Sequence, residues 1–438
     1  MGFKVVIVGG SISGLSLANM LEKFDIDYVL LEAYDGIAPQ LGASIGLLPS
    51  GLRILEQLGC YERIQAMAGD CYYQQIFIDR QMLLQVLFDK LKFKDRVLTK
   101  KRVTRVDMAE GQVNVHTADG SVYSGDVVVG ADGVHSAIRE EMWRNAKESN
   151  SGLFQPDEES GLQAVSKCIF GISKRPTGLP ATPLQINAFF KDCNYMILSA
   201  PGDRLYWFLF TEMDKAYGKD IPKFTKEDER RLAEQHFGDR VTNSTTFQDI
   251  YNNGLHTTLV ALEDHVFPRW HYRRIIIIGD AAHKVHPISA QGGNGAMESA
   301  AVLVNTLRQR MGILSADEKL SEDDIESIFA DVQAKRFSRA VDAVNQGRRT
   351  TAASIKDTLF SRLFVDWFFP RFGQRLIFRL VIKNTETGPV IDGLPVPKRY
   401  EDAISRHKAT IPKSNWMIWT FGSFGAAVVA LTIRSALK

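Results

Sequence analysis

Lys4-Val5-Val6-Ile7-Val8-Gly9-Gly10-Ser11-Ile12-Ser13-Gly14 stands near the start of the chain, and its reading decides the fold. Val5 to Val8 are apolar without alternation, as a strand buried on both faces of a parallel sheet must be. Small residues make the turn that follows, and Leu15, Leu17 and Ala18 continue as an apolar helix. Gly9 permits the tight turn, Gly14 lets the helix pack on the strand, and Ser11 takes the place where a second glycine usually admits a pyrophosphate. A second strand, Tyr28 to Leu31, ends at Glu32, where an acidic side chain accepts hydrogen bonds from ribose hydroxyls. Strand, glycine turn, helix and acid in this order predict a dinucleotide-binding unit in an α/β fold.

Two later segments repeat the pattern of buried strand and polar turn. Ile275 to Ile278 lead into Gly279-Asp280-Ala281-Ala282-His283, at the carboxyl edge where open α/β sheets bind ligands. Asp280 is placed there to accept from sugar-like hydroxyls. Pro287 and the Gln291-Gly292-Gly293-Asn294 turn then enter an alanine-rich helix, whose first N–H groups suit an electron-rich ring such as a reduced flavin. An ordinary strand-to-helix turn with a solvated aspartate is the plainer alternative. Val127-Val128-Val129 runs into Gly130-Ala131-Asp132-Gly133-Val134-His135-Ser136, with Arg139 one helical turn on, and Arg80 begins a helix with an apolar face through Leu87 and Phe88.

Together these segments resemble the class A, single-component flavoprotein monooxygenases, whose signatures are the amino-terminal dinucleotide turn, an internal Asp-Gly motif and a Gly-Asp motif. The resemblance reaches to about residue 345. It implies an α/β architecture in which a glutathione-reductase-like FAD-binding domain, residues 1–166 and 255–345, is interleaved with a mixed-sheet substrate domain, residues 167–254. Residues 60–80 are read as partly substrate domain, and 346–412 as a C-terminal helical region. FAD is the implied cofactor. NAD(P)H is the implied reductant, visiting transiently because only one dinucleotide turn is present. By the same resemblance Gly9, Ser11 and Gly14 belong to the FAD site, Glu32 binds the adenosine ribose, Gly46 and Arg80 line the cofactor and Asp280 holds the ribityl chain. Gly293 lies against the isoalloxazine, with Pro287, Gly292 and Asn294 beside it, and Asp132 serves FAD and the nicotinamide donor.

More narrowly, Ala43-Ser44-Ile45-Gly46-Leu47-Leu48-Pro49 and Gly393-Leu394-Pro395-Val396-Pro397 look like the fungal FAD-dependent epoxidases and hydroxylases of indole-diterpene (paxilline-type) and meroterpenoid pathways. Two departures from the family pattern stand out. Ala290 replaces a glycine before Gln291, and the passage from Gly59-Cys60 to Arg80 is short.

The segment Leu205-Tyr206-Trp207-Phe208-Leu209-Phe210, with Phe189, Phe190 and Tyr195, reads as aromatic strands that either wall an apolar pocket over the flavin or form core. Tyr195 and Tyr206 are the residues put forward for the catalytic pocket. Epoxidising an isolated alkene needs no protein base, and the fungal-type motifs favour a lipophilic, prenylated small-molecule substrate. The alternatives are an aromatic hydroxylase or dehydrogenase, or an impaired variant that retains FAD.

The chain has 438 residues, 45% of them hydrophobic, and a net charge of +2. That is ample for more than one domain and too little charge to attract nucleic acid. Four cysteines, Cys60, Cys71, Cys168 and Cys193, show neither paired spacing nor disulfide density, and His283 and His286 have no partner at ligand spacing, so no metal is expected. Trp416 to Ile433 is apolar and uncharged between Lys413 and Arg434. Its length meets the lower limit for a bilayer span, about 17–25 residues. It is read as a single-pass membrane tail that leaves the catalytic part in the cytosol at the endoplasmic reticulum, against a surface helix or a packed segment. The aromatic, arginine-punctuated stretch Leu359–Phe378 suits either a helical core pair or a membrane-surface patch.

Overall fold

Parallel strands covered on both faces need apolar side chains throughout, and the first sheet has them. The computed structural model describes residues 2–39, 44–68, 76–155, 157–181, 184–313, 319–354 and 387–398. In it β1 (Lys4–Val8) lies parallel to β2 (Asp27–Leu31) on one side and β9 (Val127–Gly130) on the other. β5 (Val97–Leu98) extends the sheet beyond β2, β16 (Ile275–Ile277) pairs parallel to β9, and β15 (His271–Tyr272) closes that edge antiparallel. This order, β15-β16-β9-β1-β2-β5, sets the carboxyl ends of β1, β9 and β16 side by side. The turns beginning at Gly9, Ala131 and Gly279 are therefore neighbours.

Helix α1 (Ile12–Glu22) is buried along its whole length, because it packs against both α4 (Arg80–Lys90) and α8 (Gly292–Met311) as well as the sheet. A hairpin of β3 (Ser44–Leu47) and β4 (Ile76–Asp79) encloses α2 (Pro49–Leu58) and α3 (Tyr61–Met67). Proline starts α2, and Gly59, at φ +73°, ends it. Ala43 and Cys71 lie outside the described residues. A small sheet of β6 (Val103–Ala109), β7 (Gln112–Thr117) and β8 (Val122–Gly125) precedes α5 (Ala137–Glu148), which Ser136 caps by accepting from the Arg139 N–H.

The second large sheet comprises β10 (Gln163–Lys174), β11 (Gln185–Phe189), β12 (Cys193–Ala200), β13 (Arg204–Tyr217), β14 (Gly254–Val266) and β17 (His283–Lys284), in the order β11-β12-β13-β10-β14-β17. Its period-two alternation makes two apolar faces. Ile169, Tyr195, Ile197, Trp207 and Leu209 pack under α6 (Lys226–Gln235) and α7 (Phe247–Asn252). Cys168, Ile172, Leu198, Tyr206, Phe208 and Phe210 face the other way, toward Phe77 of β4 and Ile288.

Three expected boundaries move. The second sheet starts at Gln163 and continues to Val266, not 167 to 254, because β14 pairs with β10 from Gly254↔Ser173 to Asp264↔Gln163. A single helix, α9 (Glu322–Ser354), crosses the break expected at 345, its buried Ala340, Val344, Gly347 and Thr351 keeping a helical period of three and four residues across that point. Both sheets belong to one unit, Met1–Pro395. The stretch Leu359–Phe378 and the apolar run Trp416–Ile433 lie outside the described residues. Among those described, no helix is long and apolar enough to cross a membrane.

Candidate active site

Three adjacent turns build the site. In the first, Gly9 holds φ +107°, and a Cβ there would lie 2.4 Å from the Ala131 carbonyl oxygen. A Cβ on Gly14 would come within 1.9 Å of the Gly9 carbonyl, so only glycine lets α1 approach the strand this closely. Helix α1 begins with neither a side-chain cap nor an acidic residue in its first turn, which leaves its positive end for an anion. Ser11 occupies the cap position and its hydroxyl accepts from Arg80 Nη2 at 2.8 Å. Glu32 is pinned by the Gly10 and Tyr34 N–H groups, at 2.6 and 2.9 Å.

In the second turn Asp132 accepts from the Ser136 hydroxyl at 2.5 Å and the Ile138 N–H at 3.1 Å. Burial nevertheless outweighs these bonds and pushes its carboxyl up. Arg139 ties this turn to the third: Nη2 donates to Val134 O at 2.7 Å and Nη1 to Ala281 O at 2.8 Å, while the guanidinium stacks 4.0 Å from the Phe267 ring centre. Burial between rings lowers it to about 10, so it stays charged at neutral pH.

In the third turn Asp280 pairs with Lys284 at 2.5 Å. The charge of Asp280 overcomes the burial of Lys284 and raises that lysine. Arg80 is lowered by burial and supported by Asp280 and Glu32, so these groups form one charged cluster at the mouths of β1 and β16. The peptide then reaches Ala290 in a left-handed conformation and enters α8, again with no side-chain cap and no acidic first turn. Asn294 is buried and locks this helix to the β3 hairpin: Nδ2 donates to Gly46 O and Ala290 O, and Oδ1 accepts from Leu48 N–H. A Cβ on Gly293 would meet Ile45, and one on Gly46 would meet Ala290 and Phe77, so the hairpin and α8 approach through glycines.

These features fit FAD. Two uncapped helix starts suit a pyrophosphate and an anionic ring edge, and a carboxylate stands at each expected hydroxyl position. A family model described as an FAD binding domain matches residues 2–112 and 96–312. The chain is 34% identical over 423 residues to the FAD-dependent monooxygenase olcE of Penicillium canescens, covering 91% of this chain and 90% of the relative. The chain belongs to the class A FAD-dependent monooxygenases. FAD is the monooxygenase's cofactor. It is likewise 37% identical over 399 residues to spyC of Aspergillus fumigatus, covering 85% and 84% of the two chains. With andE of Emericella variicolor it is 34% identical over 455 residues, covering 97% and 95%. Klebsiella pneumoniae HpxO complexed with FAD and uric acid shares the fold, with a TM-score of 0.67 at 22% identity over 88% of this chain and 97% of that one.

The structure thus places Gly9, Ser11, Gly14, Glu32, Gly46, Arg80, Asp132, Asp280, Gly292, Gly293 and Asn294 around these neighbouring turns, and Pro287 at the start of the loop that enters α8. Tyr206 lies on the sheet face beside Phe77 and Ile288, its hydroxyl donating to Asp79 Oδ1 at 2.5 Å, next in sequence to Arg80. Tyr195 does not join them. It points to the opposite face, packed on Phe190 and Phe247, because its register differs from that of the wall by one residue. Sequence reading missed Lys284, Phe77 and Ile288. None of the three had a usable signal: Lys284 follows Asp280 at i,i+4, but that spacing pairs side chains on a helix, and here the segment is a turn entering a strand.

Proposed function

We propose that this monooxygenase epoxidises a prenyl-chain alkene of a lipophilic terpenoid or meroterpenoid in fungal secondary metabolism, with NAD(P)H as reductant. The observation that carries the reading is the apolar cluster of Leu198, Tyr206, Phe208 and Phe210, packed with Phe77 of β4 and with Ile288 of the loop that enters α8. Bound FAD supplies the activation of O₂, one atom of which goes to the substrate and the other to water. An alkene offers its own π electrons, so an apolar wall that orients it and excludes water is sufficient.

Around the cofactor, the start of α1 takes the pyrophosphate and Glu32 the adenosine ribose, Asp280 takes the ribityl hydroxyls with Lys284 restraining it, and Arg80 balances the two carboxylates. The uncapped start of α8 would favour negative charge on the bound ring. Tyr206 holds Asp79 and so orients Arg80. The apolar run Trp416–Ile433 supports attachment to the endoplasmic reticulum membrane, with the catalytic part cytosolic and the substrate drawn from the bilayer.

The test is anaerobic titration of the FAD-loaded, detergent-purified protein with NADPH, followed by isotopically labelled oxygen and a panel of prenylated compounds. Bleaching followed by a mono-oxygenated product carrying the label is expected. Oxidation of water-soluble phenols alone, or a product without label, overturns the epoxidase reading. Fractionation of the full chain against one ending at Lys398 tests the tail separately.

A further inference from the structure

On the sheet face remote from the apolar wall, three side chains converge on one carboxylate oxygen. The Tyr195 hydroxyl donates to Asp239 Oδ2 at 2.6 Å, His236 Nδ1 lies 3.0 Å from the same oxygen, and the Cys193 thiol is directed at it from 3.5 Å. The sulfur, the imidazole nitrogen and a carboxylate oxygen all lie within 4.8 Å of one another. We propose that Cys193, His236 and Asp239 bind a zinc ion, with the Tyr195 hydroxyl or a water as fourth ligand.

The distances suit that ion. With Zn–S about 2.3 Å and Zn–N or Zn–O about 2.0–2.1 Å, a tetrahedron separates its ligand atoms by roughly 3.3–3.6 Å. The two edges to Asp239, 3.0 and 3.5 Å, need to change by only a few tenths of an ångström, and the Cys193 sulfur and His236 nitrogen lie within 4.8 Å of each other. Thiolate, imidazole and carboxylate together favour a borderline-soft dication over magnesium or calcium, whose preferred ligands are oxygen. Thiolate and carboxylate also cancel the charge of the ion, so a half-buried site carries no net charge. Binding exchanges the Cys193 thiol proton for the metal and releases that proton to water.

The backbone prepares the donors. Cys193 and Tyr195 stand two residues apart on β12 and so share a face. His236 is the C-terminal cap of α6, and the loop after it is held by Asp239 N–H to His236 O and by Phe247 N–H to Asp239 O. Cys193 is buried, whereas the His236 and Asp239 side chains are 16% and 24% exposed, so an ion reaches the site from solvent. Once bound it would staple the α6–α7 connection to the sheet. His236 and Asp239 lie far along the chain from Cys193, which is why no ligand spacing is visible in the sequence.

The FAD-loaded protein, stripped with a chelator, is titrated with Co²⁺ alone and then with Zn²⁺. We expect one equivalent of Co²⁺ to bind with tetrahedral bands and a thiolate-to-cobalt charge-transfer band, read as a difference spectrum against the flavin, and Zn²⁺ to displace it. The charge-transfer band should vanish in Cys193→Ser, and Zn²⁺ should raise the melting temperature of the parent protein but not of Cys193→Ser or the part-exposed His236→Ala. Absence of the band in the parent protein, or a band and a zinc-induced shift that survive in Cys193→Ser with FAD still bound, overturns the site and leaves Asp239 as a hydrogen-bond hub.

Discussion

Ala290 holds φ +51° and ψ 21°, a left-handed conformation that costs an L-residue about 1–2 kcal/mol. It persists because its N–H donates to Pro287 O and its carbonyl accepts from Asn294 Nδ2 at 2.6 Å. Ala290→Gly removes the strain but adds unfolded-state freedom worth about 0.4–1 kcal/mol, so a net stabilisation of between zero and ~1.6 kcal/mol is expected. Thermal unfolding reads it, and a lower melting temperature would refute the strain. Gly14→Ala puts a methyl 1.9 Å from the Gly9 carbonyl, and the helix must retreat from the strand. FAD affinity should fall at least about tenfold, or roughly 1.4 kcal/mol, measured by quenching of flavin fluorescence. Unchanged affinity would remove Gly14 from the cofactor cradle. At this scale the glycines and Glu32 were legible, because a tight turn and a close helix approach are local steric demands. The binding partner of a charged group was less so: Lys284 restrains Asp280 only because the turn after β16 brings it round.

Helix α8 carries the site from one side and the core from the other, and its polar residues divide accordingly. Asn294 serves the site end. Asn294→Ala leaves the Leu48 N–H and the Gly46 carbonyl without this partner in a buried place, at about 1–3 kcal/mol. Flavin should be lost together with stability in that variant; full retention of FAD in a destabilised protein would separate the two roles. One turn on, Glu298 bonds to Arg336 at 2.6 Å and to Arg339 at 2.7 Å. Glu298 and Arg336 are 3% and 2% exposed, which makes this a buried tie between α8 and α9. Burial acts to raise the Glu298 carboxyl, but the two guanidiniums outweigh it and hold it below its ordinary value. Glu298→Gln strips a buried arginine of its counter-charge and should cost on the order of 3–5 kcal/mol in denaturant titration. Cost under 1 kcal/mol would mean that water reaches the pair.

Four buried histidines lower the stability of the molecule in acid. His265, His271, His283 and His286 are each pushed down to about 4, chiefly by burial, with arginine charges adding to the effect at the first three. Unfolded histidines titrate near 6.5. Above that pH both states are neutral; as pH falls from about 6.5 to 4 the unfolded chain takes up protons that the folded chain refuses. Stability should therefore drop through this window, each histidine contributing at most about 1.4 kcal/mol per pH unit. A melting temperature flat from pH 7 to pH 5 would contradict it. Local residue patterns set the dinucleotide turn, the order of the three motifs and the acids at their ends, since strand, turn and helix are fixed by neighbours within a few residues. Only the tertiary structure decided that Tyr206 joins the wall while Tyr195 joins the core, that β14 belongs to the second sheet, and that Cys193, His236 and Asp239 meet. The face a strand side chain takes depends on a register fixed by its partner strands, and contacts between distant segments depend on how sheets and helices pack, which no local pattern encodes.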